Sequence, residues 1–130
     1  MDFPKKLKYT KDHEWILEEK DGTAVIGVTE YAVEQLGDIV HIELPDVGDE
    51  YESGDSIGTI ESTKTVSDLY LPINGKILEV NDSLLTNLAE IGKDPYDEGW
   101  LVRILPIAGG DDEESDLLDS EEYEVFIGGL

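Results

Sequence analysis

Apolar and polar residues exchange places along this chain in short runs broken by turn residues about every ten positions, which predicts many small strands and few helices. Leu7–Tyr9, His13–Glu18 and Thr23–Val28 are rich in β-formers, and Lys20-Asp21-Gly22 supplies turn chemistry between the last two. Asp38–Leu44 alternates Ile39, His41 and Glu43 against Val40, Ile42 and Leu44, a half-buried strand that Pro45-Asp46-Val47-Gly48 turns. Further strands are predicted at Glu50–Tyr51, Ser56–Ser62, Thr65–Tyr70, Gly75–Val80 and Trp100–Leu105. Helical spacing is confined to three places. Thr29 can cap a short helix through Leu36, with Tyr31, Ala32 and Leu36 on one face and Gly37 to end it. Asn81 opens capped helical turns over Asp82–Ile91, before a loop at Asp94-Pro95-Tyr96. Leu117–Ile127 reads as a short helix that packs Leu117, Leu118, Val125 or Phe126 on the body.

Many short strands with regular turns place the chain among all-β sandwiches and barrels. A faint internal echo agrees: Ile42-Glu43-Leu44-Pro45-Asp46-Val47-Gly48 and Leu69-Tyr70-Leu71-Pro72-Ile73-Asn74-Gly75 both end in Leu-Pro-x-x-Gly, where a strand passes into a turn. Taken as a repeat, it predicts two similar β-units packed face to face with one hairpin at the far end, although chance alone could produce so short a match. At 130 residues the chain is most simply one domain. It divides into a body over residues 1–108, a Gly/Asp/Glu linker over 109–116, and a C-terminal helix and tail over 117–130 that packs on the body.

Charge narrows the function classes. Nine bases face 32 acids, and residues 111–130 hold nine acids and no base. Such a surface repels phosphate backbones and anionic lipid, so neither nucleic acid nor membrane is expected as a partner. Solubility accounts for the charge; a surface tuned for particular protein partners is the sharper reading. There is no cysteine, which excludes disulfides, thiolate metal sites and cysteine nucleophiles. No apolar run approaches the roughly 18 residues of a membrane span. The start, Met-Asp-Phe-Pro-Lys-Lys, lacks the character of a signal or transit peptide, so the cytoplasm is the expectation; with no sign of an oligomer, a monomer is the default. His13 and His41 are the only histidines, too few for a metal cluster without carboxylate help, and His41 on its alternating strand reads as structural. Gly27, Gly37, Gly48, Gly54, Gly58 and Gly75 are scattered at expected turns and form no phosphate-binding loop.

Lys64 is the candidate for chemistry. Residues 21–63 contain no lysine or arginine but hold eleven acids, and Lys64 follows them between Thr63 and Thr65, with a strand-like run on each side. A solitary, sterically open amine where a hairpin should turn is suited to modification by another enzyme. Spacing alone leaves an ordinary solvated hairpin lysine as the simpler reading.

The residues around it carry a resemblance. Glu61-Ser62-Thr63-Lys64-Thr65-Val66-Ser67-Asp68 and the run onward to Ile77 are similar to the lipoyl-attachment segment of the glycine cleavage system H proteins. His13-Glu14-Trp15 after Tyr9-Thr10, Gly27-Val28-Thr29, Gln35-Leu36-Gly37-Asp38-Ile39-Val40, Glu43-Leu44-Pro45 and Gly54-Asp55-Ser56 match that family in order. Glu79-Val80-Asn81, Asp94-Pro95-Tyr96 and Gly99-Trp100-Leu101 continue the match, so the resemblance covers nearly the whole chain. A biotin carrier would resemble this hairpin, but methionines usually flank that lysine, and Met1 is the only methionine here.

The resemblance implies a lipoyl/biotinyl-domain-like barrel-sandwich hybrid, mainly β, with short helices and a C-terminal helix. It implies a non-catalytic carrier whose cofactor is lipoate, joined covalently to Lys64 as N6-lipoyllysine. Its implied partners are a pyridoxal-phosphate glycine decarboxylase, a tetrahydrofolate aminomethyltransferase, a dihydrolipoyl dehydrogenase and the lipoyl-attaching enzymes. In such carriers the loaded arm folds back onto the protein, and the positions implied to hold its amine are Glu14 and Asp68. Position 12 is often serine in the family, so Asp12 either replaces a hydroxyl contact with a carboxylate or leaves it unmade. Two alternatives stay open: an H-like lipoyl carrier serving another pathway, such as sulfur metabolism or lipoyl relay, and an unmodified acidic interaction module in which Lys64 is inert.

Overall fold

Nine short strands form two antiparallel sheets in the computed structural model, which describes residues 3–107 and 117–130; the expected linker at 109–116 lies outside the described residues. In chain order the elements are β1 (Lys8–Tyr9), β2 (Glu14–Glu18), β3 (Ala24–Val28), α1 (Glu30–Leu36), β4 (Ile39–Glu43), β5 (Glu50–Tyr51), β6 (Ser56–Ser62), β7 (Val66–Tyr70) and β8 (Gly75–Val80). A 3-10 turn (Asp82–Leu85), α2 (Ala89–Lys93), β9 (Val102–Pro106) and α3 (Ser120–Gly128) complete them. The larger sheet runs β1-β2-β3-β9-β8-β5 and the smaller β4-β6-β7. Every predicted strand is present within one or two residues of its expected ends. The mainly-β expectation therefore holds.

The Leu-Pro echo has a topological counterpart. Leu44-Pro45 carries the chain from β4 in the small sheet to β5 in the large one, and Leu71-Pro72 carries it from β7 to β8. β5 and β8 then pair, Glu50 opposite Lys76 and Tyr51 opposite Gly75. The main core lies where the sheets meet: Ile16, Ile26, Ile77 and Ile104 from the large sheet pack with Ile42, Ile60 and Leu69 from the small one. Leu36 from α1 and Ile91 from α2 belong to the same core.

Four expectations are corrected. The alternation of β4 is interrupted by a bulge between Ile39 and His41, which turns Val40 out to 48% exposure while Ile42 stays buried. Asn81 makes no side-chain cap; its amide instead donates to the carbonyls of Glu98 and Trp100, tying the helical turns to the approach of β9, and the turns split into two separate pieces. The C-terminal helix begins at Ser120, because Asp119 and Glu122 form a reciprocal capping box, and Leu118 exchanges two backbone hydrogen bonds with Tyr9 as a bridge beyond β1. That phase leaves Val125 78% exposed and buries Tyr123. Finally, Gly27 and Gly58 stand inside β3 and β6, where close approach rather than turning demands glycine.

Candidate functional site

Lys64 stands at the tip of the β6–β7 hairpin, and the turn is held from within. The Ser62 hydroxyl accepts the backbone N–H groups of Lys64 (3.1 Å) and Thr65 (3.2 Å), and Ser62 N–H donates to the Thr65 carbonyl at 2.8 Å. Thr63 N–H donates to the Asp38 carbonyl at 3.1 Å, which anchors the tip to the start of β4. These local side-chain-to-backbone bonds fix a tight turn without a glycine. Lys64 itself is exposed, and its stem lies alongside Gly37, the residue that ends α1: a Cβ placed there would stand 3.5 Å from Lys64 Cε.

Beside the hairpin lies a cavity of about 170 Å³. Ala32, Gln35 and Leu36 of α1 form one wall, and Val28, Ile60 and Leu69 form the apolar floor. Thr65 links it to the turn that carries Lys64. The polar end is made by Asp12, Glu14 and Asp68, so the structure brings all three of the anticipated carboxylates to one place.

The three differ in state. Asp12 and Asp68 are exposed. Asp68 accepts from the Ser56 hydroxyl (3.2 Å) and, at 3.5 Å, from the Tyr70 hydroxyl, whereas Asp12 is positioned by its own N–H on the Thr10 hydroxyl. Glu14 is only 3% exposed. Its Oε2 accepts the Tyr70 N–H at 2.7 Å, but Oε1 has no partner, the one buried side-chain polar atom among the described residues in that condition. Burial pushes the Glu14 carboxyl well above the ordinary carboxylate range, the Tyr70 hydrogen bond opposes this, and the nearby Asp12 charge adds to it. An unsatisfied buried acceptor costs stability, and functional sites are where such costs concentrate.

Below the unfolded value of 4.5 Glu14 is neutral in both folded and unfolded chains and costs nothing through ionisation. As pH rises through the raised folded value, the unfolded chain ionises more readily, and that part of the stability is lost. Glu14→Gln keeps an acceptor for Tyr70 N–H and cannot ionise. The variant is therefore expected to melt above the wild type by a margin that is smallest near about pH 4 and widens toward about pH 8. Thermal melts across that range check it; a margin independent of pH would contradict it.

Other residues at the site were less legible. His13 adopts a left-handed backbone (φ 67°), uncommon outside glycine, and joins the cavity wall. His41 is exposed instead, 3.7 Å from Glu43 Oε1 on the outer face of the small sheet. Thr29 caps α1 by accepting the Ala32 N–H, and Tyr123 reaches the same threonine from α3. No short-range signal marks Tyr123; an aromatic between acids in a C-terminal helix is all the sequence offers.

The family profile described as Glycine cleavage H-protein matches residues 7–128. The chain is 50% identical over 129 residues to the glycine cleavage system H protein of Bacteroides thetaiotaomicron, covering 99% of this chain and 100% of that one. It is 49% identical over 127 residues to the protein of the same name from Listeria innocua, covering 95% and 97%. Among solved structures it superposes with TM-score 0.86 and 44% identity on a glycine cleavage system H protein from Mycobacterium marinum, over 98% of this chain and 100% of that one. The fold is therefore the lipoyl-domain-like barrel sandwich of that structure, and the chain belongs to the glycine cleavage H-protein family.

Proposed function

We propose that Lys64 carries lipoate in amide linkage and that the cavity beside it shelters the arm's aminomethyl cargo between visits to partner enzymes. Family membership makes the chain the lipoyl-carrying shuttle of the glycine cleavage system, a carrier component of that multienzyme machinery. The observation that carries the finer reading is the unpartnered, buried Oε1 of Glu14 in an apolar-floored cavity reaching the Lys64 turn.

The residues present suit such a group. The Lys64 amine is exposed on a turn that its modification need not disturb. In amide linkage lipoate supplies a disulfide that takes up the aminomethyl group and, after delivery, a dithiol to be reoxidised. Glu14 Oε1 has the free lone pairs to accept an ammonium N–H, and a charge-assisted hydrogen bond of this kind is among the stronger ones. Docking a cation there also offsets the cost of ionising Glu14 in its buried setting. Asp12 and Asp68 add negative potential at the polar end, and Val28, Ile60 and Leu69 keep water from the carbon that would otherwise be lost as formaldehyde with ammonia. The partners under this reading are a pyridoxal-phosphate decarboxylase that loads the carrier, a tetrahydrofolate aminomethyltransferase that unloads it, a dihydrolipoyl dehydrogenase, and the enzymes that attach the lipoyl group. A tethered arm presents its reactive end to each of them at high effective concentration.

Two measurements test this. The intact mass of the Lys64 peptide from the native source is expected to carry one lipoyl increment, and an unmodified peptide would sink the attachment. In lipoylated carrier loaded by the decarboxylase, Glu14→Ala is expected to shorten the lifetime of the cargo by about tenfold or more, the effect of losing one charge-assisted hydrogen bond. An unchanged lifetime would leave the shelter without support. Absence of glycine–bicarbonate exchange with lipoylated protein would direct the carrier to another pathway.

A further inference from the structure

The cavity walls come from two different parts of the chain, and one phenol joins them. On one side, α1 is started by Thr29, whose fully buried hydroxyl accepts the Ala32 N–H at 3.2 Å. On the other, His13 turns the chain with φ 67° immediately before Glu14. The Tyr123 hydroxyl lies 2.8 Å from Thr29 Oγ1 and 2.8 Å from His13 Nδ1, so it can donate to one and accept from the other. Thr29 N–H closes the circuit by donating to the His13 carbonyl at 3.0 Å.

Tyr123 is itself held rigidly. Its ring is fully buried, stacked on Tyr9 with centroids 4.9 Å apart and planes 10° from parallel, and edge-on to Phe3 at 5.2 Å. Tyr9 is bonded in turn to Leu118, just before α3. Burial pushes the phenol up to about 12, so it stays protonated and able to donate over the working pH range. The C-terminal helix thus contributes no residue to the cavity lining and yet grips both of its walls at one atom.

We infer that Tyr123 is a positioning residue for the sheltered arm: by joining the Thr29 cap of α1 to His13, it sets the spacing between the α1 wall and Glu14 and thereby how long the cargo is retained. The inference rests on the proposed role of the cavity.

The experiment compares Tyr123→Phe with Tyr9→Phe. The second removes a hydroxyl from the same aromatic cluster, but one that donates to the Pro4 carbonyl at 2.7 Å. In unlipoylated carrier, Tyr123→Phe is expected to speed hydrogen exchange of the Thr29 and Ala32 amides by about three- to tenfold, the range of one buried hydrogen bond, while Tyr9→Phe leaves them unchanged. In lipoylated, loaded carrier, Tyr123→Phe is expected to shorten cargo lifetime by about the same factor, with lipoate attachment and the extent of loading unaltered. In a Glu14→Ala background that effect should disappear, because both changes act on one contact. Equal acceleration of exchange by Tyr9→Phe would overturn the inference. So would an unaltered lifetime in Tyr123→Phe when Glu14→Ala shortens it, and that result leaves the cavity reading standing. If Glu14→Ala itself has no effect, the cavity reading falls and the role of Tyr123 with it.

Discussion

Replacing Lys64 by arginine is expected to leave the fold intact and abolish carrier function outright. Arginine keeps the positive charge and much of the length, but its guanidinium does not lose a proton in proteins, so no free amine is available to form an amide. Lys64 is exposed, and the Ser62 bonds that shape the turn run to the backbone of Lys64 and Thr65, which the substitution preserves. Stability should therefore change by no more than about 0.5 kcal/mol. The other seven lysines remain as internal controls. Lys20 is the sharpest of them, since it is also exposed in a hairpin turn, between β2 and β3, but with Glu19 and Asp21 as neighbours instead of Thr63 and Thr65. Intact mass after incubation with a lipoyl-attaching enzyme is the measurement. No increment is expected, and an increment on Lys64→Arg would mean that the hairpin tip does not select the site.

Gly58→Ala is expected to do the opposite, leaving the modified residue in place and damaging the sheet that presents it. A Cβ on Gly58 would stand 2.1 Å from the carbonyl oxygen of Glu43, and the obstacle is backbone, which cannot rotate away as a side chain could. The two strands would have to separate where β4 pairs with β6, near Glu43 opposite Thr59, and the same region already carries a register shift between β6 and β7. Overpacking of this kind costs about 1–3 kcal/mol, up to roughly 10 °C in Tm for a domain of this size. Gly27 is a second position of this type: its Cβ would meet the Trp15 ring at 2.5 Å, and Trp15 is pinned by its indole N–H on the Pro95 carbonyl. Thermal melts give the answer. A Gly58→Ala protein that melts within a degree or two of the wild type would show that β4, an edge strand, yields cheaply.

Much of the architecture could be read without coordinates. Strand positions followed from short runs rich in β-formers between turn residues, and the Thr29 cap from the preference for hydroxyls at helix starts. Lys64 was conspicuous through its isolation, and its hairpin formed where expected. Other features were hidden for identifiable reasons. The bulge at Val40 depends on how β4 meets β6, not on the residues of β4 alone. Gly27 and Gly58 look like turn glycines in sequence because the atoms that exclude a Cβ, in Trp15 and Glu43, belong to other strands. Tyr123 was missed because its partners, Tyr9, His13 and Thr29, lie at least 94 residues away along the chain.

Glu14 shows the division most clearly. As letters, Glu14, Asp12 and Asp68 are three acids among 32, and resemblance to a family was the reason to prefer them. Sequence by itself determined the residue types available, the strand periodicity and a lone lysine in a turn, all properties of near neighbours along the chain. Only the tertiary structure decided that Glu14 is buried while Asp12 and Asp68 remain in water, and that one of its oxygens is left without a partner. Burial and hydrogen-bond satisfaction are set by what the rest of the fold places around an atom. Here those surroundings come from α1, β3, β6 and β7, whose meeting point no local pattern encodes.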